Sequence, residues 1–556
     1  MPRRKVPALL LSVPVLGFYV TTLAPSLVWA DGARLQTDAV TGSSLYWQFD
    51  EVAAVPTDGW PFDRLGVAAW DHPLWVVLGH CLTSFGVGDP AWKLNLLSAV
   101  PASLAVALVF LIIHELSGEW SGAAAGAIAL AVSQVYWFHA VTAEVYALHA
   151  LFMAVLVWMA LHWESFDARR LAAAGFIAGL GFSNHVMLLL TVLPAAVFVA
   201  VRDRSSQVQH RRLGWASWLM AGVAFVLGSM LWLVQFARMT HVAGFRATAA
   251  IATGFPWLGE RWPGPGGWTL LVNAGQYLAV ATYQFTPLGL AVGLYGAVRL
   301  CRRHRAEGAL LVSLFGLHAA FSANYTVADR FAFHLPSFLV FAVFVGYGVS
   351  EALLRLRSAT WMRTRVAAVA ILGVMAAPIG IYHLVPGVLH RAGVTDADLG
   401  ISTLGSRDGI AYFLDPNKRG DDYAERFGRG ALTGLAPGAT VLVAWPRDLE
   451  TYAALRYFQL TEGLRPDVTV DLMLFTGLSV HDSALAIAQT QAQCRPVYLA
   501  SEDAATYPVR ELRVQFALTS ESLLFRLRPR VATGSPCPPA APVHRSLNEL
   551  LRTVRR

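Results

Sequence analysis

Asp31 stands where a long apolar stretch ends, in Trp29-Ala30-Asp31-Gly32-Ala33-Arg34, and a carboxylate there has two readings. Either it is solvated and simply ends a helix, or a protein cavity facing the membrane interface holds it for chemistry. Arg34, three residues on, is spaced to pair with Asp31 or to bind a lipid phosphate. The same loop returns at Trp70-Asp71-His72-Pro73-Leu74-Trp75, where Asp71 and His72 form part of a binding surface or an interfacial turn before Pro73. Other polar residues fall at the same expected ends of apolar segments: Glu144 and Tyr146 in Thr142-Ala143-Glu144-Val145-Tyr146, Asn184-His185, and Asn324-Tyr325 with Asp329-Arg330. If those ends converge, one wet cavity receives two carboxylates, a histidine and two arginines. Such a set suits transfer from an amphiphilic donor to a polar acceptor. A carboxylate accepts the proton of an acceptor hydroxyl, and arginine binds a phosphate leaving group. Taken alone, His185 is more often a hydrogen-bonded structural residue than a catalyst.

The elements that must position these residues are membrane helices. Of 556 residues, 55% are hydrophobic and only 14% charged, against about 25% charged in an ordinary soluble domain, and mean hydropathy is +0.49. A string of soluble enzymes, a disordered polymer and a disulfide-stapled miniprotein are excluded. Much of the net charge of +7 sits in short clusters such as Arg3-Arg4-Lys5 and Arg302-Arg303. Between apolar spans, such clusters set topology, and nucleic acid is not an expected partner. A span needs about 20 apolar residues, fewer when short and protein-packed. That rule predicts about eleven helices, near 6–28, 93–116, 121–138, 143–163, 170–183, 186–201, 213–236, 270–300, 308–323, 334–354 and 366–385. The first has the basic start and the Val28-Trp29-Ala30 ending of a signal peptide, but its apolar stretch is long for one, so it reads as an anchor. A cytoplasmic N-terminus puts 17 Lys and Arg residues inside and 7 outside, and an odd number of spans then exports the C-terminus. The first external loop, 29–92, is too long for a simple connection.

Near residue 386 the composition turns soluble, so 1–385 is expected to be a polytopic transmembrane helix bundle and 386–556 a small extracytoplasmic α/β domain. Thr440–Trp445, Asp467–Leu474 and Arg495–Ala500 read as buried strands, Glu450–Glu462 and Val480–Gln493 as helices between them, giving a partly parallel sheet. Asp448 and Glu450 read as polar residues at a solvated helix start. Cys494 and Cys537 are equally compatible with a disulfide and with two thiols, whereas Cys81 and Cys301 are expected to be free.

These residues resemble the GT-C superfamily of membrane glycosyltransferases, which typically carry a catalytic Asp just after the first transmembrane helix, the position of Asp31. More closely, the chain is similar to bacterial relatives of the eukaryotic transmembrane O-mannosyltransferase that modifies IPT domains. The similarity runs through Thr22-Leu23-Ala24-Pro25, Asp89-Pro90-Ala91-Trp92-Lys93-Leu94-Asn95-Leu96-Leu97-Ser98 and Ala143-Glu144-Val145-Tyr146-Ala147-Leu148. It continues in Gly179-Leu180-Gly181-Phe182-Ser183-Asn184-His185, Asp329-Arg330-Phe331, Leu335-Pro336, Tyr457-Phe458-Gln459 and Gly463-Leu464-Arg465-Pro466-Asp467-Val468. The resemblance implies inverting transfer of a hexose, mannose by analogy, from a polyprenyl-phosphate carrier to a hydroxyl of a protein or glycan outside a bacterial inner membrane. Asp31 would be the base, with Glu144 placing the acceptor or a divalent ion. Arg34, Arg330, Lys93 and Arg246 would meet the donor phosphate, and Tyr146, Asn184, His185, Asp71, His72 and Asp329 would line the substrate. No cofactor is expected to be covalently bound, and metal dependence stays open.

The departures fall at the site. The family commonly has Asp-Ser-Gly-Glu where this chain has Asp31-Gly32-Ala33-Arg34, and His-Pro-Pro-Gly-Tyr-Pro-Leu where it has Trp70-Asp71-His72-Pro73-Leu74, after an apparent insertion around 41–63. Asp31 with Arg34 is similar instead to the Asp-Glu-x-Arg pattern of GT-C enzymes that put an aminosugar on lipid A. Asp38, Asp50, Glu51 and Asp71 are candidates for the missing acid. Two other readings compete. A transporter or lipid-linked sugar flippase prefers charges near the bilayer midplane and two related halves, and a catalytically silent scaffold tolerates loss of Asp31.

Overall fold

Backbone groups have no water to bond within lipid, so apolar stretches close their hydrogen bonds inside helices. The computed structural model describes residues 8–29, 31–42, 72–165, 167–205, 213–252, 267–325, 327, 330–356, 361–399, 401, 407–444, 448–473, 480–492, 494–504 and 506–530. In chain order the helices begin with α1 (Ala8–Thr21), α2 (Asp31–Thr41), α3 (Pro73–Thr83), α4 (Pro90–Ser117), α5 (Trp120–Ala131), α6 (Gln134–Ala140), α7 (Tyr146–Leu161), α8 (Ala168–Asn184) and α9 (Leu189–Ser205). They continue with α10 (Trp215–Gly228), α11 (Met230–Ala243), α12 (Phe245–Ala252), α13 (Gly267–Arg303), α14 (Arg305–Asn324), α15 (Arg330–Phe333), α16 (Leu335–Leu356), α17 (Trp361–Ala376) and α18 (Pro378–Arg391). Among the described residues, six helical stretches are long and apolar enough to cross a membrane, or up to eight if the pairs α5–α6 and α10–α11, bent by 68° and 64°, each form one span. Each predicted span overlaps a helix, but the first, 6–28, is helical among the described residues only over Ala8–Thr21, and α18 runs to Arg391, past the change of composition at residue 386. Among its described residues, the long first loop holds α2 and α3.

Lipid supplies no hydrophobic force between helices, so close backbone approach has to do that work. A Cβ on Gly122 of α5 would come within 1.9 Å of Ser350 Oγ and 2.7 Å of the Gly346 carbonyl on α16, and one on Gly126 within 2.6 Å of the Ala342 carbonyl. Gly122→Val is therefore expected to abolish most of the monodisperse peak in detergent size-exclusion chromatography. Gly17→Val, whose added Cβ meets nothing within 4 Å, should leave it unchanged.

α2 differs from its neighbours in being a polar helix buried from Gly32 to Ala39. Buried polar groups need protein partners, and Gln36 has them on both sides. Its Oε1 accepts from the Val28 amide at 3.0 Å, and its Nε2 donates to the Ala91 carbonyl at 3.0 Å and to Asn95 Oδ1 at 3.1 Å. Asn95 Nδ2 in turn donates to the Ala24 and Ser26 carbonyls, both at 2.9 Å. The network fixes α2 against the start of α4 and against the chain leaving α1.

The C-terminal α/β region stands beside α2. It comprises α19 (Gly409–Leu414), α20 (Tyr423–Gly434), β1 (Thr440–Ala444), α21 (Leu449–Glu462), β2 (Thr469–Met473), α22 (Val480–Gln491), β3 (Val497–Leu499), α23 (Val509–Gln515), β4 (Phe516–Glu521) and β5 (Leu524–Pro529). The sheet order is β2-β1-β3-β5-β4, with β1 parallel to β2 and β3, and β5 antiparallel to β3 and β4. The hairpin β4–β5 adds to the expected strands; it turns through Ser522 and Leu523 at φ 53° and 67°, both in the left-handed region that tight hairpins need. The region shares its core with the membrane part: Leu27, Trp29, Ala33 and Phe138 pack in one cluster with Tyr412, Phe427 and Phe458. Lys418 ties the joint. Its amide donates to the Thr22 carbonyl at 3.0 Å, and its buried ammonium donates to the Tyr412 and Asp415 carbonyls, 4.9 Å from the Phe138 ring. Burial pulls that ammonium down to about 7. Cys81 and Cys301 are free and Cys494 is disulfide-bonded; Cys537 lies outside the described residues.

Candidate active site

Asp31 is the first residue of α2, where the helix dipole favours a carboxylate. Its side chain is 58% exposed, against 6% for Arg34. Arg34 lies between two acids, with Nε 3.8 Å from Asp31 Oδ1 and Nη1 donating to the buried Asp38 Oδ2 at 3.3 Å. Spacings of three and four residues put all three groups on one helix face. Of the candidates for a second acid, Asp38 is thus drawn into the arginine pair, while Asp50, Glu51 and Asp71 lie outside the described residues.

Gly32 brings Asp31 to Glu144. A Cβ at position 32 would meet Val28 Cγ2 at 2.3 Å and the Ala143 carbonyl at 2.9 Å, so the first turn of α2 is pressed onto the turn that carries Glu144. Ser98 clamps that turn: the Glu144 amide donates to Ser98 Oγ at 3.0 Å, and the Ser98 hydroxyl donates to the Glu144 carbonyl at 3.1 Å. Adjacent backbone stretches therefore carry the two acids that the sequence paired.

A cluster of rings adjoins them. His72 takes a left-handed conformation (φ 58°) before Pro73, donates from Nδ1 to the Asn184 carbonyl at 2.7 Å, and stacks on His185 with centroids 5.1 Å apart. Burial, with the Arg34 guanidinium adding to it, pushes the His72 imidazole down to about 4. Tyr146 lies 5.7 Å from His185, 4.9 Å from His139 and 5.6 Å from Phe333. Asn184 Nδ2 donates to the Val145 carbonyl at 3.1 Å, next to Glu144. Arg34, His72, Tyr146, Asn184 and His185 are thus brought together. His139 and His149, buried in the same cluster, were not among the predicted residues; imidazoles inside apolar segments give no signal that separates lining from packing.

The other predicted phosphate ligands are placed differently. Arg330 opens α15, whose Phe331 stacks on His139 at 5.4 Å, but its guanidinium turns to Gln276 Oε1 at 2.9 Å, the Ala323 carbonyl at 3.2 Å and Asn273 Oδ1 at 3.5 Å. The Lys93 ammonium donates to the Phe85 carbonyl at 2.6 Å and closes the loop before α4. Arg246 is exposed on α12, and Asp329 lies outside the described residues. Among the described residues, no group of three or more His, Cys, Asp or Glu is set to hold a metal ion.

The start of α21 corrects one expectation. Asp448 and Glu450 are not at a solvated helix start: Asp448 is buried inside the α/β region, and Glu450 is half-buried on α21, which lies along α2. Asp448 accepts from the Tyr507 hydroxyl at 2.6 Å, and burial pushes its carboxyl up. Burial likewise pushes Glu450 up to about 8, with the Asp31 and Asp448 charges adding to it.

A helical bundle with a C-terminal α/β region packed on α2 is a fold shared with solved structures. ArnT from Cupriavidus metallidurans aligns in its apo state with a TM-score of 0.51, over 94% of this chain and 96% of that one, at 13% identity. Its structure bound to undecaprenyl phosphate gives 0.55, over 96% and 98%, at 12% identity. At that identity the likeness carries the fold. Residues 71–209 match the Protein O-mannosyl-transferase TMEM260 N-terminal domain. The chain is also 25% identical over 431 residues to the mouse (Mus musculus) protein O-mannosyl-transferase TMEM260, covering 73% of this chain and 57% of that protein. The chain thus shares the fold of ArnT and is similar in sequence to TMEM260, and it spans 57% of the length of that relative.

Proposed function

We propose that the protein is an inverting glycosyltransferase that moves mannose from a polyprenyl-phosphate carrier to a hydroxyl of a protein or glycan on the extracytoplasmic face of a cell membrane. The observation that carries this is Asp31, an open carboxylate held by the buried Arg34 at the start of α2 and pressed against the turn of Glu144. Kinship with a protein O-mannosyl-transferase supports the sugar and the acceptor class, and the undecaprenyl phosphate bound by ArnT supports a lipid carrier. Asp31 takes the acceptor proton while the acceptor oxygen bonds the anomeric carbon. The bond from that carbon to the phosphate oxygen breaks, and its electron pair leaves on the lipid phosphate. Positive charge developing on the sugar is met by the carboxylates and negative charge on the phosphate by arginine, an electrostatic task. Arg34 is the first choice for that phosphate, and Arg330 reaches it only by leaving Gln276. Glu144 places the acceptor, and Tyr146, His72, Asn184 and His185 line the substrate side.

The test is transfer of radiolabelled mannose from polyprenyl-phosphate mannose to envelope protein by the full chain in nanodiscs, with and without chelator. Label in protein is expected; inhibition by chelator would add a divalent ion. Failure across a panel of lipid-linked sugars would favour the flippase or scaffold alternatives.

A further inference from the structure

Glu450 lies at the start of α21, where the C-terminal α/β region meets α2. The contact is close, since Trp29 and Ala33, two residues to either side of Asp31, share an apolar cluster with Ala453 and Tyr457 of α21. An acid sits in this contact. One carboxyl oxygen of Glu450 is buried with no hydrogen-bond partner, while Asp448 is committed to the Tyr507 hydroxyl. The Asp31 carboxylate is near enough to act on Glu450 electrostatically. A buried carboxylate with an unmet oxygen is costly, whereas a protonated carboxyl is cheaper to bury and has an O–H to give. A neutral carboxyl beside an ionised one provides both a donor and a base.

Resting on the glycosyl-transfer reading above, we propose that Glu450 binds the acceptor, its protonated carboxyl donating a hydrogen bond that holds the acceptor hydroxyl against Asp31. The partner missing from its buried oxygen then arrives with the substrate. The acceptor proton goes to Asp31, the electron pair of the broken bond leaves with the lipid phosphate, and Glu450 keeps its own proton throughout. The C-terminal α/β region is by this account a wall of the transfer site.

Glu450→Ala and Glu450→Gln separate the possibilities, with a serine- and threonine-rich peptide as acceptor probe and polyprenyl-phosphate mannose as donor. Loss of one such hydrogen bond is expected to raise the acceptor KM about tenfold in Glu450→Ala with the donor KM unchanged, while Glu450→Gln, which keeps an N–H donor of the same shape, stays within roughly threefold of wild type. An unchanged acceptor KM in Glu450→Ala, or a glutamine variant as impaired as the alanine one, overturns the proposal while leaving the transfer reading intact. A wild-type protein that transfers from no lipid-linked donor overturns both. A second readout needs no transfer. Folded Glu450 keeps its proton up to about pH 8 against 4.5 for an ordinary glutamate, so stability falls as pH rises through that window. Glutamine has no such proton, and its melting temperature relative to wild type is expected to climb between about pH 5 and pH 8.5. A difference that stays constant over that range means the carboxyl is ionised and overturns the proposal.

Discussion

Asp31→Asn is expected to lower kcat for mannose transfer by about 10²–10⁴-fold, the usual contribution of a general base, with the donor KM little changed. The substitution keeps shape and polarity but removes the atom that accepts the proton. The fold should tolerate it for two reasons. Asparagine in the first turn gives up only the helix-dipole attraction of the charge, about 0.3–1 kcal/mol, and α2 is anchored by the bonds of Gln36 and Asn95, in which Asp31 takes no part. Melting temperature and detergent chromatography would establish that the variant is folded before its transfer rate is read. A folded variant with a wild-type rate would move the base to Glu144, the acid on the neighbouring turn.

Much of the fold is legible in the sequence because lipid leaves the backbone few options. Apolar stretches near span length become helices, and the alternation after residue 439 becomes β1, α21, β2, α22 and β3. The hairpin β4–β5 is harder to foresee, since Phe516–Glu521 and Leu524–Pro529 are mixed in polarity and turn at Ser522-Leu523 without glycine or asparagine. The site is half legible. The stretches that carry Asp31, Glu144, Tyr146 and Asn184-His185 lie against one another, Gly32 on Ala143 and Asn184 on Val145, because polar groups at the ends of apolar segments share one layer. What pattern does not disclose is which partner each cation takes. Arg330 and Lys93 read as ligands of the donor phosphate and are engaged by Gln276 and the Phe85 carbonyl. Glu450 reads as solvated because covering it takes the docking of α21 on α2, elements far apart in the chain.

Arg34→Ala is expected to be the most destabilising change at the site, by about 3–5 kcal/mol, the cost of breaking a buried ion pair from one side. The guanidinium is 6% exposed and faces Asp38, whose side chain is 2% exposed, so its loss takes the cation away from a carboxylate that water does not reach. Asp38→Ala combined with Arg34→Ala removes the charge as well as its partner. Most of the stability should then return, because an ion pair replaced on both sides is often close to neutral. Transfer should not return with it. Arg34 also touches Asp31, through Nε at 3.8 Å, and that contact is lost in both variants. Denaturation of the reconstituted protein gives the first quantity and the mannose-transfer rate the second. Recovery of both in the double variant would make Arg34 a support for Asp38 alone, and the donor phosphate would then need another cation.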